Sequence, residues 1–120
     1  MKKYRKSLTV KGFPLKATIL FDLSFGVDSH QGGIATIHAR LEVEEPKEWA
    51  SYGVTPPSLE SEHDFEINAS STHDQIQKYI RAIEKNAQDE LNKLSAQAAI
   101  GSSFAQGVEA VFAAGQYSEA

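Results

Sequence analysis

The pattern of apolar and polar residues along this chain changes its period once, close to residue 70. Before that point, residues 15–25 and 35–44 alternate almost throughout between apolar and polar side chains. A period of two residues is typical of a strand that buries one face. Residues 26–33, between these two segments, are rich in glycine and in other residues that tolerate turns. The sequence therefore predicts a hairpin of two antiparallel strands.

Two shorter segments extend the predicted sheet. Leu8 and Val10 indicate an N-terminal strand, and Phe65 with Ile67 indicates a fourth strand. The intervening residues 45–61 contain three prolines and a glycine. Because proline and glycine interrupt regular structure, we expect a loop there.

After residue 72 the spacing becomes helical. Thr72 and Gln75 fit a capping box, in which their side chains bind free N–H groups at the start of a helix. The apolar residues that follow have a mean spacing of about 3.67, which favours an ordinary helix on a sheet over a coiled coil with about 3.5. This stripe consists of Ile76, Ile80, Ile83, Ala87, Leu91, Leu94 and Ala98.

A second, shorter helix is predicted towards the end of the chain. Gly101 to Ser103 is expected to break or bend the first helix, and Gly115 is expected to end the second one. Phe104 and Phe112 lie on one side of this second helix. Either the helix completes the core of the monomer or its aromatic side contacts a partner.

The fold class that follows is α+β, with an antiparallel sheet of three to four strands packed on a long C-terminal-half helix that is followed by a short helix. Residues 1–120 are expected to form a single domain. We predict strands at about residues 3–12, 15–25, 34–44 and 63–69, and helices at about residues 73–99 and 103–114.

Composition narrows the class of protein. The chain has 120 residues, 41% of them hydrophobic and 23% charged, as in ordinary globular domains. It has no cysteine, which excludes disulfides and thiolate chemistry and favours a cytoplasmic location. Charged residues, Gly12 and Pro14 interrupt the apolar run that a signal peptide needs, and no apolar stretch has the length of a membrane span.

Charge is sorted along the sequence. The first sixteen residues hold six cations and no acid, whereas residues 42–66 hold eight acids and one cation, in a chain of net charge −4. Separate clusters of opposite charge can steer a partner and repel wrong ones. The alternative is that the two segments lie side by side in one sheet and neutralise each other.

Signals for catalysis or metal binding are weak, and we predict no catalytic residue, no metal and no cofactor. Ser29 lies between Asp28 and His30, but neighbours in a turn do not make a catalytic triad. An enzyme remains a third class of function, built on His63 and the carboxylates around it. Those carboxylates belong to Glu60, Glu62, Asp64 and Glu66.

The predicted function is a small non-enzymatic binding or regulatory protein that acts through protein contacts. Its partner is of unknown identity, a homodimer is one form of the interaction, and no membrane is involved. Aromatic anchors commonly dominate the energy of an interface, so the expected contact residues are Trp49, Tyr52, Phe104 and Phe112. Small accessory proteins of phages and other mobile elements fit this profile, although no motif points to that origin.

The alternative function is binding of nucleic acid by the basic N-terminal strand. Several unopposed cations can hold phosphates, and an interleaved aromatic ring such as that of Tyr4 can stack on bases. The residues that would do this are Lys2, Lys3, Arg5 and Lys6.

Overall fold

The computed structural model describes residues 1–10, 13–28, 32–44, 46–47, 49–67 and 70–120. This part of the chain forms four strands, a single-turn helix and one long helix. In chain order they are β1 (Lys2–Val10), β2 (Phe13–Asp28), β3 (Gly32–Glu44), α1 (Trp49–Tyr52), β4 (Glu60–Glu66) and α2 (Thr72–Ala114).

The four strands form one antiparallel sheet in the order β1-β2-β3-β4, so β1 and β4 are its two edges. The predicted α+β class and antiparallel sheet are confirmed, with four strands. The last strand begins and ends earlier than the predicted 63–69, because the alternation that starts at Glu60 already pairs with β3. Residues 68 and 69 lie outside the described part of the chain.

The hairpin of β2 and β3 is longer than the sequence predicts. Its pairing continues to Asp28 opposite Gly32, through most of the segment expected to be a turn. A Cβ atom on Gly33 would lie 2.3 Å from the carbonyl oxygen of Gly26, so glycine is needed there for a close approach of two paired strands. Residues 29–31 of the turn are outside the described residues, as are residues 11 and 12 of the preceding one.

The core lies between α2 and the face of the sheet that carries the alternating apolar residues. Ile19 of β2 and Leu91 of α2 are its largest completely buried side chains. The predicted helical stripe faces this core: its second half is buried, and its first half is partly buried against the same cluster. Burying one large aliphatic side chain contributes about 1.5–3 kcal/mol, so this layer contact is the main stabilising interaction.

The prediction of two helices is wrong, because α2 runs without a break through Gly101 to Ser103 and ends at Ala114. Its start also differs from the predicted capping box. The N-cap residue is Ser71, whose side chain makes no capping hydrogen bond, and the hydroxyl of Thr72 donates to the carbonyl oxygen of Glu66. The amide of Gln75 donates to the Ser71 hydroxyl at 3.1 Å, which ties the first turn together.

The end of α2 extends past the sheet. A helix of 43 residues is about 64 Å long at 1.5 Å per residue, and the molecule measures 78 × 24 × 16 Å. The last buried residue of α2 is Ala98. We call residues 99–114 the helix extension. Within the described ranges, neither helix has an apolar stretch long enough to cross a lipid bilayer.

Candidate protein-interaction surface

Large apolar side chains of the helix extension are exposed. Ile100, Phe104 and Val111 are each more than 70% exposed, and Phe112 is 56% exposed. The same helix buries its apolar residues wherever the sheet covers it, so their exposure begins where the sheet ends. A contiguous apolar surface of this kind is typical of an interaction site.

Phe104 and Phe112 belong to one wall of a shallow groove of about 740 Å³, which we call the extension groove. Its lining is mostly apolar, and its other wall comes from α1 and from the residues after α2. The residues that line it are Ser51, Tyr52, Gly101, Phe104, Ala105, Val108, Glu109, Phe112, Ala113, Tyr117, Ser118 and Glu119.

The chain turns back at the end of α2 and closes one end of the extension groove. The backbone N–H of Tyr117 donates to the carbonyl oxygen of Phe112 at 3.0 Å, and that of Gln116 donates to Ala113 at 3.0 Å. These two bonds make a Schellman motif, in which Gln116 adopts the left-handed conformation with φ 65°. The rings of Phe112 and Tyr117 meet edge to face with centroids 5.9 Å apart.

Gly101 lets the helix extension pass directly against α1. A Cβ atom at Gly101 would lie 2.5 Å from the carbonyl oxygen of Tyr52 and 2.8 Å from its Cβ atom. Only glycine fits at such a distance. The residue predicted to break the helix is therefore the contact point that sets Tyr52 beside the groove.

Among the described residues that line the extension groove, carboxylates are the only charged groups. Glu109 lies on the helix and Glu119 follows it, and no lysine or arginine belongs to this described lining. The potential at the rim is therefore negative, which favours a positively charged partner.

Three of the four expected contact residues come together in the groove, and one does not. Tyr52, Phe104 and Phe112 line it. Trp49 is only 2% exposed and belongs to the core, so its ring offers no surface to a partner. The position of Trp49 in a proline-bearing segment indicated a surface loop, whereas α1 directs it inward against the sheet and helix.

The basic N-terminal strand is an edge, and its cations alternate between two faces. Lys3 and Arg5 lie opposite Asp22 and Leu20, whose side chains face away from α2. Lys6 lies on the helix side, where its ammonium group is 2.5 Å from a carboxylate oxygen of Glu84. Among the described residues, no acidic group lies within ion-pair distance of Lys2, Lys3 or Arg5.

The acidic strand is the opposite edge, so the two charged segments do not neutralise each other as neighbouring strands. Glu62 lies opposite His38, and Asp64 opposite Thr36, whose hydroxyl donates to it at 2.7 Å. The nearest approach of the two segments is on the inner strands, where Lys16 lies opposite Glu44. Four of the six cations lie on β1 and four of the eight acids lie on β4, and β2 and β3 separate these two strands.

The residues of the candidate enzyme site lie on two different faces. His63 faces α2, where its ring stacks on Tyr79 with centroids 5.6 Å apart and meets Phe65 edge to face at 4.7 Å. The carboxylate of Glu60 lies on the other face, 2.7 Å from Nε2 of His38. Over the described ranges, no three side chains of the histidine or carboxylate type form a group that could hold a metal. Ser29 and His30 are not among the described residues.

Comparison of the chain with models of protein families, with curated proteins and with solved structures finds no match in any of the three.

Proposed function

We propose that this chain is a non-enzymatic binding protein that acts through a protein partner, and that the extension groove is its contact site. The observation that carries the proposal is the exposure of Phe104 and Phe112 on a helix whose packing against the sheet has ended at Ala98. Exposed aromatic rings around a groove supply the anchors that dominate interface energies.

The partner that fits this groove best is a basic amphipathic helix. Its apolar face would cover the phenylalanine rings, and its lysine or arginine residues would meet Glu109 and Glu119 at the rim. A second copy of the extension fits less well. It brings the same carboxylates, and residues 95–120 contain no lysine or arginine. The same proposal includes a regulatory role in the cytoplasm. A chain without cysteine has no disulfides, so a reducing compartment does not affect its stability.

The test uses a labelled 18-residue peptide with leucine on one helical face and lysine on the other, and its matched peptide with glutamate in place of lysine. We expect fluorescence anisotropy to show binding of the lysine peptide only. Phe112→Ala should weaken that binding at least tenfold, as expected for a buried aromatic anchor, whereas Phe25→Ala should not. Phe25 is a suitable control because it is 63% exposed and lies in β2, outside the groove.

Two results would overturn the proposal. One is equal binding of both peptides, which would show that charge at the rim is irrelevant. The other is binding that survives both Phe104→Ala and Phe112→Ala in folded protein. Sedimentation that shows a dimer, lost on Phe112→Ala, would instead make the second copy the occupant.

A second candidate function, binding of nucleic acid, is favoured by the three cations of the β1 edge that have no ion pair in the described part of the chain. Lys2, Lys3 and Arg5 would contact phosphates, and the affinity would fall steeply with salt. We expect any gel shift of a single-stranded oligonucleotide at low ionic strength to be lost in Lys3→Ala/Arg5→Ala. The absence of a shift for the native chain removes this candidate.

A further inference from the structure

The two edges of the sheet are complementary in charge. β1 carries four cations and no acid, and β4 carries four acids and neither lysine nor arginine. The cations are Lys2, Lys3, Arg5 and Lys6, and the acids are Glu60, Glu62, Asp64 and Glu66. Charged side chains on an edge strand normally prevent pairing with another edge. Here they oppose pairing of β1 with β1 and of β4 with β4, but not of β1 with β4.

The directions of the strands also suit this pairing. Each strand is antiparallel to its neighbour, and the number of strands is even, so β1 and β4 run in opposite directions. A copy of the molecule that is shifted sideways by one sheet width, about 19 Å for four strands at 4.8 Å, therefore places its β1 antiparallel to β4 of the first copy. Apart from the twist between neighbouring strands, the copy keeps its orientation, and α2 of both copies lies on the same side.

The side chains that would meet across such a contact are exposed. All residues of β1 from Lys2 to Ser7 are exposed, and in β4 the four acidic residues are exposed. Lys3 and Arg5 point to the same face of the sheet as Glu62 and Glu66. This follows from the strand pairing, because residues that lie opposite each other in β1 and β2, in β2 and β3, and in β3 and β4 share a face. No strand in the described part of the chain pairs with the outer side of β1 or β4.

We propose that copies of this chain associate side by side, with β1 of one copy pairing antiparallel with β4 of the next and extending the sheet. The contact is head to tail, so it leaves a free β1 and a free β4 at the ends of every assembly. Because sheets twist, a series of such contacts gives an open helical filament. This surface is separate from the extension groove, and the association does not depend on the proposed function.

The test is a set of charge reversals that leave the known contacts of both edges intact. Lys3→Glu/Arg5→Glu removes the net positive charge of β1, and Glu62→Lys/Glu66→Lys removes the net negative charge of β4 without removing the hydrogen bonds of Glu60 and Asp64. Light scattering and sedimentation at high protein concentration and low salt measure the association. We expect the native chain to associate, and to dissociate in about 1 M salt, where the screening length is about 3 Å.

Each reversed variant alone should remain monomeric, since one of its two edges no longer carries the net charge that attracts the other edge. An equimolar mixture of the two variants should associate again, because the unchanged acidic β4 of one variant can then pair with the unchanged basic β1 of the other. The chain that carries all four substitutions has the native net charge of −4 and should associate by itself. Lys78→Glu/Arg81→Glu, on the exposed face of α2, changes the net charge as much as the β1 variant does and should leave association unchanged.

A native chain that stays monomeric at low salt and high concentration would overturn the proposal. So would a mixture of the two folded variants that fails to associate, because complementary edges would then be insufficient. Phe112→Ala distinguishes association through the strand edges from association through the extension groove. Side-by-side association should persist in this variant, and a loss of association would show that the copies meet through the groove.

Discussion

Gly101 and Tyr52 touch through their backbones: a Cβ atom added to Gly101 would lie 2.5 Å from the Tyr52 carbonyl oxygen. This contact joins α1 to α2 at the point where the helix leaves the sheet. We expect Gly101→Ala to lower the free energy of unfolding by about 1–3 kcal/mol, the usual effect of overpacking. Urea unfolding followed by circular dichroism measures it.

Gly107 is the matched control for that substitution. It lies in the same helix, and a Cβ atom there would meet nothing within 4 Å. Gly107→Ala should therefore cause no clash, and it should raise the free energy of unfolding by about 1 kcal/mol because alanine has the higher helix propensity. Equal effects of the two substitutions would show that the contact with Tyr52 does not constrain the helix.

Trp49 gives a direct optical test of the core. It is the single tryptophan of the chain and is 2% exposed. Its fluorescence should be blue-shifted in the native state and protected from iodide, and both properties should disappear on unfolding. Trp49→Ala should cost about 3–5 kcal/mol of stability, whereas Phe104→Ala, at an exposed position, should stay within about 0.5 kcal/mol. A native spectrum like that of free tryptophan would contradict the buried position.

Gln116 occupies a left-handed backbone conformation with φ 65° at the end of α2. A residue with a side chain pays about 1–2 kcal/mol for this conformation, and glycine does not. We expect Gln116→Gly to stabilise the end of the helix by up to about 1 kcal/mol, and Gln116→Val to destabilise it. Amide hydrogen exchange of the last turn is the sensitive measurement. Gln106→Gly, inside the helix, should have the opposite sign because glycine weakens a helix interior.

The continuity of α2 can be tested at Ser103, an exposed residue in the middle of the segment that the sequence suggests as a break. Proline inside a helix removes one hydrogen bond and clashes with the preceding turn, at a cost of about 3 kcal/mol or more. Ser103→Pro should therefore abolish helical circular dichroism from the residues beyond it, while Ser103→Ala should not. If the proline variant keeps the native helical signal, two separate helices are present.

Local sequence patterns were sufficient to predict the strands and the helix that bury one face against the core and expose the other. The alternation around Ile19 and Phe21 predicts a half-buried strand, and the stripe that includes Leu91 and Leu94 predicts which helix face is buried. Both predictions depend only on whether neighbouring positions meet the core. Strands β1, β2 and β3 follow one another through short turns, and β4 pairs with β3 after the longer segment that contains α1.

The errors concern residues whose role depends on a distant part of the chain. Gly101 has the local signature of a helix break, but glycine is required at this position because Tyr52, almost fifty residues away in the sequence, lies directly against it. Trp49 has the surroundings of a loop residue, but α1 turns it into the core. The charge pattern of the sequence was likewise ambiguous, because only the strand order shows that the basic and acidic strands are opposite edges.

The uninterrupted path of α2 has a consequence for binding. Core packing fixes the part of α2 that lies on the sheet. No break or hinge separates this part from the helix extension, which carries Phe104 and Phe112. The aromatic rings are therefore held in a preorganised arrangement before any partner arrives. Little conformational entropy of the backbone would be lost on association, so a small contact area can still give a specific complex.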